Sequence, residues 1–201
     1  MYRRISREKL EEHLIGVKIP EVKNRVELFR KSLKDTKVND MYIEFGVFTG
    51  GTINIISSII PDKTVYGFDS WKGLPDNYTE TFKKGSFVME IPKTFNPNIE
   101  LLVGMIENTL PRFLERHPEK IGFVHMDVDV YSVTKYVLDT LAPRLQIGSV
   151  IQFDEIFEVE NGYWYLDEFD AWTEFLKEHN IKYDYIGLVN SHCSFIITSI
   201  N

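Results

Sequence analysis

The sequence predicts an α/β fold: a seven-stranded, mostly parallel sheet with helices on both faces and an antiparallel strand in a terminal hairpin. Three observations carry that expectation. Short runs rich in Val, Ile and Phe alternate with longer segments of helical spacing, the pattern of a parallel sheet covered by helices. The last two such runs, in YDYIGLVNSHCSFIITSI, are separated only by Asn190 to His192, so they predict an antiparallel hairpin. A chain of 201 residues is long enough for one well-packed core and short for two ordinary domains.

The strands are expected at 41–46 (MYIEFG), 64–69 (TVYGFD), 99–103 (IELLV), 121–126 (IGFVHM), 148–153 (GSVIQF), 183–189 and 193–199. Helices fit between them at 51–60, 107–116, 131–145 and 166–179, and a polar, helix-prone arm covers roughly residues 6–36. The expected division is an N-terminal arm or lid at 1–39 and a single α/β domain at 40–201. The longest irregular stretch, Trp71 to Asn98, contains Gly73, Pro75, Gly85, Pro92 and Pro97. Long ordered loops of this kind are often lids. There is no internal repeat and no low-complexity segment.

Charge and cysteine content exclude several function classes. The formal net charge is −7, with no long block of Lys or Arg, so the phosphate-tracking surface of a nucleic-acid binder is missing and small molecules are the expected partners. One cysteine, Cys193, rules out an internal disulfide and a cysteine-rich zinc site. MYRRISREKLEEHL is charged throughout, and no stretch approaches the ~20 apolar residues of a membrane span, so a cytoplasmic protein is expected.

MYIEFGVFTGG, residues 41–51, carries the first chemical signal. In a doubly wound sheet, ligands sit beyond the carboxyl ends of the strands, where this strand hands over to its helix. Gly46 lets a ligand lie against the backbone, Gly50 and Gly51 permit a tight entry to a helix whose free N–H groups favour an anion, and Thr52 can cap that helix or bind the ligand. The spacing is G-x-x-x-G-G, not the G-x-G-x-x-G of a dinucleotide fold, and Glu44 would add an anion beside a pyrophosphate, so NAD is disfavoured. Asp69 closes the next strand, where nucleotide-binding α/β folds place an acid against the ribose hydroxyls. The bland alternatives are a glycine turn that packs strand on helix, and an aspartate that caps the turn before Trp71.

A hairpin ending an otherwise parallel sheet resembles the class I S-adenosylmethionine methyltransferases, a Rossmann-like fold whose seventh strand inserts antiparallel beside the fifth. From FDSWKGLPDNY, residues 68–78, the resemblance narrows to the macrocin O-methyltransferases, the TylF and MycF type of sugar methyltransferase from antibiotic pathways. EFGVFTGG resembles that family's adenosylmethionine motif, FDSWKGLP its second-strand motif, and GMIENTLP (104–111) the segment after its third strand. HMDVDVYSVT (125–134) resembles the fourth-strand motif, VIQFDE (150–155) the acidic pair after the fifth, and GYWYLDEFDAWTEFL (162–176) the helix that follows. Coverage is roughly residues 40–200. The chain departs from the pattern at Gly148 and Ser149, at Asp154 and Glu155, and at Asp167 and Glu168.

The resemblance implies an S-adenosylmethionine-dependent O-methyltransferase, releasing S-adenosylhomocysteine and acting on a hydroxyl of a sugar or glycosylated small molecule. It places the cofactor on Glu44, Gly46, Val47, Gly50, Thr52, Asp69, Ser70 and Gly104. A sulfonium and an amino group tolerate the nearby Glu44 better than a pyrophosphate does. In the implied fold the fourth and fifth strands are neighbours about 5 Å apart. Asp127 and Asp129 therefore converge with Asp154 and Glu155, and such acids repel unless one is protonated or a cation lies between them. Oxygen-only ligands favour Mg²⁺ or Ca²⁺, and Mg²⁺ is expected. By resemblance Asp127, Asp154 and Glu155 hold the metal, with Asp127 the candidate general base; which oxygen takes the proton stays open. Otherwise the first two acids cap the helix beginning near Ser132 and the others lie in a solvated loop.

Other residues compete less well. His125 lies inside an apolar strand and reads as a core histidine, and His192 in the hairpin reads as solvated. Ser70 and Ser132 lack His and Asp partners in hydrolase order, and no G-x-S-x-G elbow exists. Tyr163, Trp164, Tyr165, Phe169 and Trp172 could stack on a sugar, although Phe169, Trp172 and Phe175 have core spacing. The rival functions are an NAD-dependent oxidoreductase and a non-catalytic cofactor-binding protein. A homodimer contact is one expected role of the arm.

Overall fold

A computed structural model describes residues 4–5, 18–160 and 163–200. In chain order its elements are β1 (Arg4–Ile5), α1 (Arg25–Asp35), β2 (Met41–Phe45), α2 (Gly51–Ile59), β3 (Val65–Asp69), β4 (Ile99–Val103), α3 (Ile106–Arg116), β5 (Ile121–Met126), α4 (Tyr131–Leu141) and β6 (Val150–Phe153). They are followed by β7 (Glu158–Glu160), β8 (Tyr163–Tyr165), α5 (Asp167–Glu178), β9 (Ile181–Val189) and β10 (His192–Ile200). All seven expected strands form one sheet, in the order β4-β3-β2-β5-β6-β10-β9. The first five run parallel, and β10 lies antiparallel between β6 and β9.

Alternation along the strands sorts residues between two apolar layers. Met41, Ile43 and Phe45 of β2 face the larger layer, which contains Leu110 and Phe113 of α3, Val137 and Leu138 of α4, and Trp172 and Phe175 of α5. Tyr42 faces the other layer with Phe123, Val150, Phe29 and Leu33 of α1, and Ile53 and Ile56 of α2. Period-two geometry then assigns Glu44 of β2, His125 of β5 and Gln152 of β6 to the α1 side, and Glu44 stands opposite His125 in the strand register. Ser32 of α1 meets this polar stripe, its hydroxyl lying 2.9 Å from the acceptor Gln152 Oε1 and 2.7 Å from the Ser194 hydroxyl, so that it can donate to the first and accept from the second.

Helix α1 lies in the described part of the expected arm; residues 6–17 lie outside the described residues. It starts where Asn24 accepts from the Glu27 amide and buries Leu28, Phe29 and Leu33. Helix α4 ends at Leu141 and tightens into a 3₁₀ turn, Ala142–Arg144, as expected where Pro143 cannot supply an N–H. Two findings differ from expectation. A second sheet pairs β1, β8 and β7 in that order. Residues 163–165 are therefore a strand, whereas the helix that follows, Asp167–Glu178, lies within a residue of the expected 166–179 at each end. Trp172 and Phe175 take the core reading, both fully buried. Cys193 sits in β10 opposite Phe153 and Leu188, 2% exposed. No helix among the described residues is long and apolar enough to cross a membrane.

Candidate active site

The turn after β2 is shaped by close backbone approach. Gly46 has φ 84°, and a Cβ there would lie 1.7 Å from the carbonyl oxygen of Asp127, so the carboxyl ends of β2 and β5 nearly touch. Gly50, at φ 81°, is the left-handed N-cap of α2. Thr52 does not cap this helix: its hydroxyl donates to Glu44 Oε1 at 2.6 Å. Glu44 itself is fully buried beneath the turn, and it reaches the cavity through Thr52.

Asp69, at the end of β3, fastens two loops together. Its Oδ2 accepts the amides of Val47 at 2.9 Å and Phe48 at 2.8 Å, and its Oδ1 accepts the Trp71 amide at 2.7 Å. The Trp71 indole donates to the Phe48 carbonyl at 2.8 Å, closing the link, and both Phe48 and Trp71 hold positive φ. A carboxylate offers about four acceptor sites, so one remains for a ligand hydroxyl.

These loops border a cavity of about 470 Å³, within the size range of small-molecule sites. Gly46, Val47, Thr52, Asp69, Ser70 and Gly104 line it, whereas Glu44 and Gly50 support it from behind. Phe87 brings the long 71–98 loop to its rim and packs edge-on against Phe48, ring centroids 5.5 Å apart. The opposite end is acidic.

There the structure brings together Asp127, Asp129 and Glu155, each offering an oxygen within 4.8 Å of the others. Asp129 holds φ 63°, and the N-cap of α4 falls on Val130, so neither aspartate occupies the cap position. Lost hydration, then the charges of Asp154, Glu155 and Asp129, raise the Asp127 carboxyl well above the usual carboxylate range. Glu168 of α5 lies behind the cluster, buried, its Oε1 3.4 Å from the Val128 amide and its Oε2 without a hydrogen bond. Burial, then the charges of Glu155 and Asp129, push its carboxyl up as well.

Asp154 also lines the cavity but turns toward cations. Its Oδ1 meets His125 Nε2 at 3.3 Å, His192 Nδ1 at 3.2 Å and the Arg25 guanidinium, which also lies 3.8 Å from Asp127 Oδ2. Although burial opposes it, these partners hold the Asp154 carboxyl well below the usual range, His125 and His192 first and then Arg25. His125 is fully buried; burial would lower its pKa, but Asp154 and Glu44, 3.7 Å from Nδ1, outweigh this and raise it. His192 is therefore a partner of Asp154 and not a solvated residue. Arg25, Asp129 and Glu168 carried no assignment from sequence; only the second aspartate of HMDVDVY was a visible signal.

The pattern of the family described as "Methyltransferase domain" matches residues 43–156, more than half of the chain. The chain belongs to this methyltransferase domain family. Its matched span covers every acidic residue of the cavity floor from Asp69 to Glu155. Demethyldecarbamoylnovobiocin O-methyltransferase of Streptomyces niveus is 24% identical over 169 residues, which is 71% of this chain and 61% of that protein. This methyltransferase chain thus spans less than two thirds of that relative. Among solved structures, the calicheamicin methyltransferase CalS11 superposes with a TM-score of 0.67 at 21% identity, covering 94% of this chain and 80% of that one. The O-methyltransferase NovP gives 0.63 at 20% identity, covering 87% and 80%.

Proposed function

We propose that this chain transfers the methyl group of S-adenosylmethionine to a hydroxyl oxygen of a sugar-containing small molecule, in the manner of the TylF and MycF type of O-methyltransferase. The observation that carries the reading is one continuous cavity lined by the glycine turn and Asp69 and also by the carboxylates Asp127, Asp129 and Glu155. The relatives support the acceptor class: the calicheamicin enzyme is named as a TDP-rhamnose 3'-O-methyltransferase, and the novobiocin relative as an O-methyltransferase.

In this reading Gly46, Val47 and Thr52 receive the amino-acid end of the cofactor, with Glu44 holding Thr52 in place. Asp69 and Ser70 face the ribose, and Gly104 borders the adenine side. The C–O bond forms as the S–C bond breaks, and the hydroxyl proton passes to a carboxylate. Asp127 suits that role because it lines the cavity beside the other carboxylates, and a carboxyl held above the usual carboxylate range is a stronger base than a solvated one. The all-oxygen donor set fits Mg²⁺ or Ca²⁺. Asp127 and Glu155 would hold the ion, which when bound orients acceptor hydroxyls and lowers the pKa of the attacking one.

Calorimetric titration with S-adenosylhomocysteine, with NAD as control, tests the reading. Micromolar binding of the first and none of the second is expected, followed by turnover in a screen of sugar nucleotides and glycosides with Mg²⁺. Preference for NAD would replace it with the oxidoreductase reading.

A further inference from the structure

His125 has no part in the chemistry described above, yet it stands where several elements of the site meet. It lies in β5 opposite Glu44 of β2 and Gln152 of β6, fully buried and outside the cavity lining. Phe29 of α1 packs edge-on against the ring, centroids 5.0 Å apart. Nδ1 faces Glu44 Oε1 at 3.7 Å, and Nε2 faces Asp154 Oδ1 at 3.3 Å, neither with the alignment of a hydrogen bond. The Glu44 oxygen that meets Nδ1 is the one that accepts from the Thr52 hydroxyl at 2.6 Å. Thr52 lines the cavity, so the buried ring reaches it through a single carboxylate. A hydroxyl whose proton is committed to Glu44 offers its lone pairs to the cavity, which suits a donor such as an ammonium group. That commitment depends on how the Glu44 carboxylate is turned, and its other oxygen has no hydrogen bond to fix it. The neighbour against which Oε1 rests is His125.

We propose that His125 is a positioning residue for the cofactor: it holds the Glu44 carboxylate, and through it the Thr52 hydroxyl, in the orientation that receives the amino-acid end of S-adenosylmethionine. The ligand is named by the methyltransferase reading, on which this role rests. What the role requires is the ring nitrogen on the Glu44 side; the nitrogen facing Asp154 is not needed for it.

The test is calorimetric titration of S-adenosylhomocysteine into the full chain at one fixed pH, with thermal unfolding of every variant alongside. An asparagine side chain carries its amide near the place of Nδ1 and a glutamine near that of Nε2, so the two substitutions separate the faces of the ring. His125→Asn is expected to bind within about threefold of the unaltered protein and His125→Gln about tenfold more weakly, although both melt at lower temperature. A merely structural ring would lower the melting temperature of both without separating their affinities. Thr52→Val is also expected to weaken binding about tenfold, and its combination with His125→Gln by no more than about threefold beyond either single change, because both act on one contact. Equal affinities of His125→Asn and His125→Gln overturn the proposal, as do losses that multiply to about a hundredfold in the combined variant. If neither His125 variant folds, nitrogen-15 resonances of the histidine rings in the unaltered chain supply the answer. The Nδ1 signal of His125 is expected to shift on saturation with S-adenosylhomocysteine, although the ring lies outside the cavity, and an unmoved signal overturns the proposal. If the unaltered chain binds no S-adenosylhomocysteine, the methyltransferase reading itself falls, and this role with it.

Discussion

Asp69 accepts three backbone amides as well as facing the cavity, and both engagements disappear when it is truncated. Asp69→Ala is expected to lower S-adenosylhomocysteine affinity by ten- to a hundredfold, about 1.5–3 kcal/mol for hydrogen bonds to a charged group, and to lower the melting temperature of the free protein too. Calorimetry and thermal unfolding measured together check this. Lost affinity with unchanged stability would mean that the amide contacts carry no structural weight. Residue roles were unevenly legible in the sequence. Asp69, Asp127 and Glu155 stand at strand ends, where position alone marks them. The partners of Asp154 come from residues 25, 125 and 192, and no local pattern links a polar arm, an apolar strand and a hairpin turn. Thr52 looked like a cap because it follows two glycines, but the left-handed Gly50 leaves it free to bond Glu44 instead.

At the scale of elements, the junction of β2 and β5 tolerates no side chain at position 46. Gly46→Ala is expected to push these strand ends apart or force the turn out of its positive φ. Binding of S-adenosylhomocysteine should then fall below detection while far-ultraviolet circular dichroism keeps its native shape. Near-native affinity would show that the turn yields without disturbing the cavity. Element type followed from periodicity where segments were long: five parallel strands, the terminal hairpin and α2 to α4 lie close to their expected limits. Strands β7 and β8, of three residues each, were not legible. The aromatic sequence of β8, YWY, continues into helical spacing, and pairing with a distant β1 on one side and with β7 on the other decides its conformation.

Across the whole molecule, a buried histidine flanked by two acids makes stability depend on pH. The folded pKa of His125 is raised above its ordinary 6.5, so its contribution is full below about pH 6.5 and is lost as pH rises through the folded value. Asp154 is shifted down from 3.8, so its contribution is present above that value and is lost as pH falls further. Urea unfolding should therefore show a penalty for His125→Gln that is larger at pH 5 than at pH 9, on the order of 3 kcal/mol at the lower pH if the pair behaves as a broken buried ion pair. An equal penalty at both pH values would mean that the imidazole is neutral in the folded protein throughout.

The seclusion of Cys193 supplies a chemical clock. The chain has a single thiol, and it lies within the sheet where β10 is clasped on both sides by β6 and β9. Burial also pushes this thiol up, away from its reactive anion. An aromatic disulfide reagent can reach it only when the hairpin opens, so the rate of its colour change reports how often this edge of the molecule comes undone, without any engineered label.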